Sequence, residues 1–289
     1  MPKPTISVLM PVKDGAATVL TAVRSTLFAL PSDGELLVVD DGSSDATPSL
    51  LKSIRDSRLT VIRQDSEGVA RSLNTLLKLA RSDVIARMDA DDICLPWRFR
   101  LQQRMFEKYR ADLVFGSFVR LIAGKGLRPS PPRALSGVQM QIALAIGNPF
   151  AHSTMYGNKR TILQAGGYSE VLAEDYELWL RLASAGRSLV LGRAPVIILR
   201  QHSRQVTADV VWQANAGRDR ELISSYVGHS RLVLSSLKST QPLELSYSSF
   251  GEARAAVISR LYSQTVIIPT MGHRAFRSMA KKERISLPR

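Results

Sequence analysis

The first 120 residues alternate between short aliphatic runs and segments long enough to form helices. The aliphatic runs predict strands at Ile6–Val12, Leu36–Asp40, Leu59–Arg63, Val84–Met88 and Leu113–Phe118. The intervening segments predict helices at Ala17–Leu30, Thr47–Ile54, Val69–Ala80 and Trp97–Tyr109. Such alternation favours right-handed βαβ units, because parallel neighbouring strands need a crossover between them. We therefore expect an α/β fold with a Rossmann-like, mostly parallel sheet flanked by helices.

Small and acidic residues follow three of these strands at the point where each strand ends. Lys13-Asp14-Gly15 follows the first strand, Asp40 to Asp45 the second, and Asp89-Ala90-Asp91-Asp92 the fourth. In open parallel sheets, ligands bind at the carboxyl ends of the strands. We therefore expect these three segments to share one edge of the sheet and to line a binding site there.

The second half of the chain is organised differently. Gly124–Arg133 is rich in glycine, proline and basic residues and predicts an exposed loop or flap. The pattern then predicts helices at Ser136–Ile146, Thr161–Ala165 and Asp175–Ala185, strands at Leu189–Leu191 and Val196–Arg200, and helices at Thr207–Val227 and Ser246–Ile267. No apolar run approaches the roughly 20 residues that span a bilayer. We expect a helical C-terminal extension over 207–289 that ends in a basic tail.

The excess of basic residues indicates what kind of molecule the protein binds. The 289 residues include 39 Lys+Arg against 25 Asp+Glu, a formal net charge of +14. Such an excess favours an anionic partner: nucleic acid, acidic lipid or a phosphorylated substrate. The single cysteine, Cys94, excludes an internal disulfide and a cysteine-rich zinc site and suits a reducing cytoplasm. Residues 1–5 lack a signal-peptide pattern, so we expect a cytoplasmic protein.

The most informative segment is Asp89-Ala90-Asp91-Asp92, directly after an apolar strand. Carboxylates two residues apart at a strand end can approach one divalent cation, and oxygen ligands suit Mg²⁺ or Mn²⁺ bound to a diphosphate. A lone Asp-x-Asp is also typical of a solvated turn. The surrounding sequence favours the metal site.

Several segments occur in an order and spacing typical of one family. They are Ser7–Gly15, Val39–Thr47, Gly68–Asn74, Met88–Asp92, and Gly166–Tyr168 followed by Ala173–Leu182. Together they resemble the inverting nucleotide-sugar glycosyltransferases of glycosyltransferase family 2, over about residues 6–207. The resemblance implies the GT-A fold and the transfer of a sugar from a nucleotide diphosphate, expected to be UDP, to a hydroxyl group of an acceptor.

The resemblance also implies the donor-site residues. The backbone at Pro11 and Val12 and the carboxylate of Asp41 would hold the base. Asp14 and Asp89 would lie near the ribose, although the family usually has Asn or Glu where this chain has Asp14.

The remaining donor-side assignments are open in part. Asp91 would reach the metal, and Asp92 would support it or face the acceptor. Arg71 is either a phosphate or base contact or part of a solvated helix face. Asn74 either contributes to nucleotide binding or settles the Gly68 loop against the nucleotide.

The Glu174-Asp175 pair matches the family's source of the catalytic base, and we assign the base to Asp175. Inversion requires an acceptor-side carboxylate that takes the hydroxyl proton as the oxygen attacks C1. The alternative is a first-turn helix residue favoured by the helix dipole, with Glu177 and Arg181 paired at i,i+4. Trp179, on the apolar stripe of the same helix, is expected in the core.

Two histidines are candidates for supporting roles. His152 ends the segment Asn148-Pro149-Phe150-Ala151-His152, which precedes a predicted strand, and it either positions the acceptor or is a structural histidine. His202 lies where relatives have an Arg-x-His segment and would complete the metal or diphosphate site, or is a surface histidine.

The basic C-terminal tail suggests where the acceptor resides. Apolar residues such as Phe276 and Met279 are interspersed with basic ones there, which is typical of an interfacial anchor on an anionic membrane, although a solvated tail would have the same composition. We hypothesise a lipid-linked acceptor in cell-envelope polysaccharide or lipopolysaccharide biosynthesis, with peripheral contact at the inner face of the plasma membrane. The catalytic domain would span 1–206, with its nucleotide-sugar half at about 1–120 and its acceptor half at about 121–206.

Competing classes fit the sequence less well. The first turn lacks the Gly-x-Gly-x-x-Gly of a Rossmann dehydrogenase. No recognition motif for nucleic acid is present, so we expect no nucleic-acid partner. A sugar nucleotidyltransferase and an inactive, membrane-associated relative remain as alternatives. The sequence leaves the donor sugar, the linkage and the oligomeric state open.

Overall fold

The computed structural model describes residues 3–130, 133–201, 218–237, 243 and 247–263. The strands are β1 Ser7–Val12, β2 Glu35–Asp41, β3 Leu59–Gln64, β4 Val84–Arg87, β5 Ile93–Cys94, β6 Leu113–Ile122, β7 Gly126–Pro129, β8 Tyr156–Asn158 and β9 Leu189–Gln201. The helices are α1 Val19–Ala29, α2 Thr47–Lys52, α3 Val69–Leu79, α4 Arg98–Tyr109, α5 Gly137–Ile146, α6 Lys159–Gln164, α7 Glu174–Ser184, α8 Arg220–Ser236 and α9 Phe250–Ser263. A short 3-10 turn covers His152–Thr154.

One nine-stranded sheet has the order β3-β2-β1-β4-β8-β6-β9-β5, with β7 paired to β6. Strands β3, β2, β1 and β4 are parallel neighbours, as the strand–helix alternation predicted. All of β2 and nearly all of β1 is buried, which explains why these strands are continuous aliphatic runs. The predicted α/β class with a mostly parallel sheet is confirmed.

The second half of the sheet depends on long-range pairing. Strand β8 is antiparallel to both β4 and β6, and β9 is parallel to β6. The two runs predicted at 189–191 and 196–200 form one strand, because a register shift around Ser117 accommodates Gly192 to Pro195. A bulge of this kind keeps a strand paired past residues that would interrupt a regular ladder.

Two other predictions were wrong in detail. The segment 124–133, predicted as a loop or flap, includes strand β7, which forms a hairpin with β6; its four residues are exposed, as a flap would be. The helix predicted to end at Val227 continues to Ser236. The C-terminal part of the last predicted helix and the basic tail lie outside the described residues.

The chain divides into two compact units, each assembled from segments that are distant in the sequence. Unit 1 comprises Met1–Ala134, Phe150–Glu170 and Ser188–Ser203, and unit 2 comprises Leu135–Pro149, Val171–Arg187 and Arg204–Arg289. All of the strands in the described ranges belong to unit 1, whose core includes Val8, Met10, Leu36, Val38 and Ala86. The predicted domain boundary at 206 lies outside the described residues and stays a prediction.

Unit 2 is helical in its described part, and its packing centres on the C-terminal end of α5. Helix ends leave backbone carbonyls without intrahelical partners. Here the carbonyls of Leu144, Ala145 and Ile146 accept hydrogen bonds from side chains of three other helices, namely Tyr176 on α7, Tyr226 on α8 and Arg254 on α9. Trp179 is fully buried, as predicted. None of the helices described is long and apolar enough to cross a membrane.

Candidate active site

The end of β4 gathers three carboxylates. Asp89, Asp91 and Asp92 each offer an oxygen, and these oxygens lie within 4.8 Å of one another. The buried strand Val84–Arg87 ends just before them. The three carboxylates therefore lie in the turn after the strand, where they can face a ligand. Three hard oxygen donors at this spacing have the chemistry of a divalent-cation site. Asp89 and Asp91 are partly exposed, whereas Asp92 is buried.

Asp92 is fixed by two distant segments of unit 1. Its Oδ2 accepts a hydrogen bond from Ser153 Oγ at 2.6 Å, and its Oδ1 accepts one from the Arg200 N–H at 3.0 Å. Burial and the charge of Asp91 raise the pKa of Asp92 to about 6, although both hydrogen bonds favour the ionised form. Hydrogen bonds from Ser153 and Arg200 therefore fix the Asp92 carboxylate, which is more buried than the carboxylates of Asp89 and Asp91.

Two buried arginines that the sequence analysis did not single out support this cluster. Arg87 forms an ion pair with Asp89. Arg98, on α4, is fully buried and donates to the backbone carbonyl of Arg87 at 2.7 Å and to Gln102 at 2.9 Å. An arginine inside an aliphatic strand, as in Val-Ile-Ala-Arg87, is a signal that could have revealed the first of them, since such a charge needs a partner.

Asp41, at the end of β2, is held by the loop that precedes α3. Its carboxylate accepts hydrogen bonds from Gln64 Nε2 at 2.7 Å and from the N–H groups of Glu67 and Gly68, both at 2.9 Å. Burial opposes ionisation, but these hydrogen bonds outweigh it and lower the pKa of Asp41. The carboxylate is therefore ionised and organises the Glu67–Gly68 turn, in addition to its predicted contact with a base.

The turn after β1 is joined to the turn after β2. Asp14 has a left-handed backbone, with φ of 49°, and its Oδ1 accepts hydrogen bonds from the Ser44 N–H at 2.8 Å and the Ser44 hydroxyl at 3.1 Å. Pro11 and Val12 pair in register with Val39 and Asp40 of β2. The predicted base-binding and ribose-binding segments are therefore neighbours at one edge of the sheet.

Helix α3 carries Arg71 and Asn74, which contact the segment before residue 171. Arg71 Nε lies 2.8 Å from Glu170 Oε1 in an exposed ion pair. Asn74 donates to the Tyr168 carbonyl at 2.8 Å and accepts from the Tyr168 N–H at 2.9 Å. Gly167 has φ of +80°, and a Cβ there would lie 2.5 Å from Asn74 Oδ1. Asn74 thus secures the Gly166–Tyr168 turn rather than the Gly68 loop.

Of the two predicted histidines, one can be described. His152 Nε2 lies 3.0 Å from the Tyr168 hydroxyl. Burial lowers the pKa of His152 well below its ordinary value, and the charge of Arg87 lowers it further. His152 is therefore a neutral imidazole. His202, predicted to complete the metal site, lies outside the described residues.

The predicted catalytic pair belongs to unit 2 and is described there. Glu174 and Asp175 begin α7, and both are partly exposed. Asp175 Oδ2 accepts a hydrogen bond from the Asn148 amide at 2.9 Å, and its Oδ1 accepts from the Tyr176 N–H at 2.6 Å. The contact with Asn148 could not be read from the sequence, because the two residues are 27 positions apart.

A scan against models of protein families identifies the chain. The model described as glycosyl transferase family 2 matches residues 7–167, more than half of the sequence. The chain belongs to this family. Family 2 membership makes it a transferase of the glycosyltransferase type, as the sequence analysis predicted.

Two relatives with similar sequences agree with the family assignment. EpsE of Bacillus subtilis (strain 168) is 31% identical over 63% of this chain and 68% of its own length. The UDP-Glc:alpha-D-GlcNAc-diphosphoundecaprenol beta-1,3-glucosyltransferase WfgD of Escherichia coli is 28% identical over 61% of this chain and 69% of its own.

The structural comparison concerns the fold. S. aureus TarS 1-349 in complex with UDP-GlcNAc is similar with a TM-score of 0.63 at 15% identity, covering 98% of this chain and 82% of that one. At this identity the likeness shows the fold alone, and it confirms the GT-A fold predicted for this family 2 chain.

Proposed function

We propose that this family 2 chain transfers a sugar, with inversion, from a UDP-sugar to a hydroxyl group of a glycan or lipid-linked acceptor in cell-surface polysaccharide biosynthesis. The observation that carries the proposal is the three-carboxylate cluster at the end of β4. Two relatives support the substrate classes: TarS is solved with UDP-GlcNAc, and the name of WfgD gives UDP-Glc and a diphosphoundecaprenol acceptor.

Mn²⁺ or Mg²⁺ is the cofactor in this proposal. The donor set fits either ion, because all three side chains offer carboxylate oxygens within reach of one another. Asp91 would contact the metal directly, and Asp92, held by Ser153, would support it or face the acceptor. Asp89, paired with Arg87, would lie near the ribose, as the family resemblance implies. When bound, the ion neutralises negative charge on the leaving diphosphate.

Asp175 is the general base in this proposal. Its carboxylate accepts the proton of the acceptor hydroxyl as that oxygen forms a bond to C1 of the sugar. The bond between C1 and the diphosphate oxygen breaks, and the nucleotide diphosphate leaves with the electron pair. The hydrogen bonds from Asn148 and the Tyr176 N–H hold the carboxylate in one orientation, which favours proton transfer along a defined direction.

The test is release of nucleotide diphosphate from a panel of UDP- and dTDP-sugars, with and without Mn²⁺. We expect turnover that requires the metal and is lost in Asp91→Ala. Asp175→Asn should retain UDP–Mn²⁺ binding, measured as a thermal shift, and lose at least about 100-fold in transfer rate. Glu174→Gln is the matched control and should stay active.

Each alternative has its own outcome. Formation of pyrophosphate from UTP and a sugar phosphate would identify a nucleotidyltransferase and overturn the proposal. Stabilisation by UDP without turnover of any donor would identify an inactive relative. Loss of activity in Glu174→Gln but not in Asp175→Asn would reassign the base.

A further inference from the structure

The hairpin of β6 and β7 presents two arginines side by side. In its register Arg120 lies directly opposite Arg128, and Leu121 lies opposite Leu127. Directly opposed residues of an antiparallel pair have Cβ atoms about 5 Å apart, and like charges there are destabilising. Both arginines are exposed, and neither has a carboxylate partner within the described residues.

The sequence around the hairpin offers no compensating charge. Asp112 is followed by no acidic residue until Glu170, whereas Arg120, Lys125, Arg128 and Arg133 all fall in this interval. Two arginines whose Cβ atoms are this close can bring both guanidinium groups to one anion, because arginine donates in a fork that matches phosphate oxygens. The repulsion between Arg120 and Arg128 would therefore be relieved by a bound anion.

The other face of the hairpin is apolar. Leu127, on the edge strand, is 55% exposed, and its cross-strand partner Leu121 is partly exposed. Strand β7 has four residues and ends at Pro129, with Pro131 and Pro132 following in the sequence. Proline and positive charge at an edge disfavour the addition of a further strand. The edge is therefore poorly suited to pairing with another protein's backbone.

We propose that the β6–β7 hairpin docks on an anionic lipid bilayer, with Arg120 and Arg128 binding headgroup phosphates and Leu127 entering the interface. Because the arginines and Leu127 lie on opposite faces, the hairpin would enter the interface by its exposed β7 edge. Long arginine side chains can then reach the headgroups while the apolar residue is buried, as in an interfacial anchor. The inference deepens the proposed lipid-linked acceptor and rests on that proposal for its biological role.

The test is cosedimentation of the full chain with vesicles. We expect binding to vesicles of phosphatidylglycerol and phosphatidylcholine, and none to phosphatidylcholine alone. Arg120→Gln with Arg128→Gln should weaken binding by roughly 25-fold, since each charge near an anionic surface contributes about 1 kcal/mol, or about fivefold. Arg24→Gln with Arg55→Gln is the matched control, because it removes the same charge from exposed positions elsewhere and should have little effect.

A second pair of variants tests the apolar contact. Leu127→Ser should weaken binding several-fold, whereas Leu163→Ser, at another exposed leucine, should not. Replacing both hairpin arginines with lysine should restore most of the binding, because the charge is kept. Equal loss in the hairpin and control arginine pairs would overturn the proposal, since net charge alone would then explain binding.

Other results would also overturn it. Unchanged binding in the hairpin variants would place the contact elsewhere, such as the basic tail. Full release by millimolar inorganic pyrophosphate would identify a soluble phosphate as the ligand. Nucleotide-diphosphate release without vesicles should be the same in wild type and hairpin variants, so a failure of the proposed enzyme activity is distinguishable from a failure of docking.

Discussion

Arg98 is a fully buried charge that holds the backbone beneath the acidic cluster. Its guanidinium reaches the carbonyl of Arg87, the side chain of Gln102 and, at 5.1 Å, the ring of Phe99. Burial lowers the pKa of Arg98, because a charged group is costly to remove from water. The hydrogen bonds to Gln102 and to the Arg87 carbonyl offset that cost, and the second of them fixes the end of β4.

Arg98→Met should therefore destabilise the protein strongly. The substitution leaves the Arg87 carbonyl and Gln102 buried without their donor, and each such loss costs about 1–3 kcal/mol. Urea denaturation would measure the change in the free energy of unfolding. Arg100→Met, at an exposed position on the same helix, should change it by less than about 0.5 kcal/mol. Equal effects of the two substitutions would contradict the role given to Arg98.

His229, on α8 of unit 2, makes stability sensitive to acid. Burial lowers the pKa of His229, and its hydrogen bond to the Gln141 carbonyl raises it less. The folded state therefore binds fewer protons than the unfolded state, whose histidines titrate at about 6.5. The contribution of His229 to stability is present above that pH and lost as the pH falls through it.

The check is the free energy of unfolding between pH 8 and pH 5 for wild type and His229→Gln. Glutamine can donate to the same carbonyl and does not titrate in this range. We expect the variant to lose less stability on acidification than wild type, with His152 accounting for part of the remaining slope. Parallel pH profiles would show that His229 is not buried as a neutral ring.

At the residue scale, the sequence predicted the acidic cluster but not what holds it. Asp89, Asp91 and Asp92 are adjacent in the chain, so their proximity follows from local sequence. The bond from Ser153 to Asp92 joins residues 61 positions apart, and that from Arg200 joins residues 108 positions apart. No local pattern encodes such contacts, because they arise only when β8 and β9 pair with the rest of the sheet.

At the element scale, α3 stabilises the turn Gly166–Tyr168, which precedes the second segment of unit 2 in the sequence. Asn74 makes two hydrogen bonds to the backbone of Tyr168, and Gly167 leaves just enough room for them. The positive φ of Gly167 is a further reason for glycine, since an L residue in that region costs about 1–2 kcal/mol. The conformation of the Gly166–Tyr168 turn and the position of the Asn74 side chain on α3 therefore stabilise each other.

A double-mutant cycle would measure that dependence. Asn74→Ala should cost about 1–3 kcal/mol, because it leaves the Tyr168 backbone groups without partners. Gly167→Ala should cost more in wild type than in Asn74→Ala, since the added Cβ no longer meets the amide oxygen in the second background. Thermal or urea unfolding of all four proteins gives the coupling. Additive effects would mean that the two residues do not interact.

The elements themselves were predictable to different degrees. Strands β1 to β4 are local, buried runs joined by helices, and their parallel order follows from the crossover rule. Strand β8 has only three residues and takes its place between β4 and β6 by antiparallel pairing over long separations. A strand after His152 is predicted from the sequence, but its two neighbours are not, because they lie far away in the chain. The hairpin at β7 contains the glycine and proline that normally indicate a loop.

At the scale of the whole molecule, the excess of positive charge should destabilise the folded state. A formal charge of +14 is self-repulsive, and exposed ion pairs such as Arg71–Glu170 offset little of it. Raising NaCl from 0.1 to 1 M shortens the Debye length from about 10 to about 3 Å. The melting temperature should therefore rise with salt, by about 2–4 °C for each kcal/mol gained.

The control for this prediction is the Arg24→Gln, Arg55→Gln protein, whose formal charge falls from +14 to +12. Its melting temperature should rise less with salt than that of the wild type, because there is less repulsion to screen. Differential scanning calorimetry would measure both. A melting temperature that falls with salt would mean that attractive ion pairs dominate the balance.

The tether of Asp92 to Ser153 and Arg200 also bears on how the protein is made. A chain synthesised from its N-terminus completes β1 to β4 long before residue 200 emerges from the ribosome. Until then the Asp92 carboxylate lacks at least one of the two groups that hold it in the folded state. The arrangement of the acidic cluster seen in the folded protein is therefore completed late during translation, after the parallel strands have been synthesised.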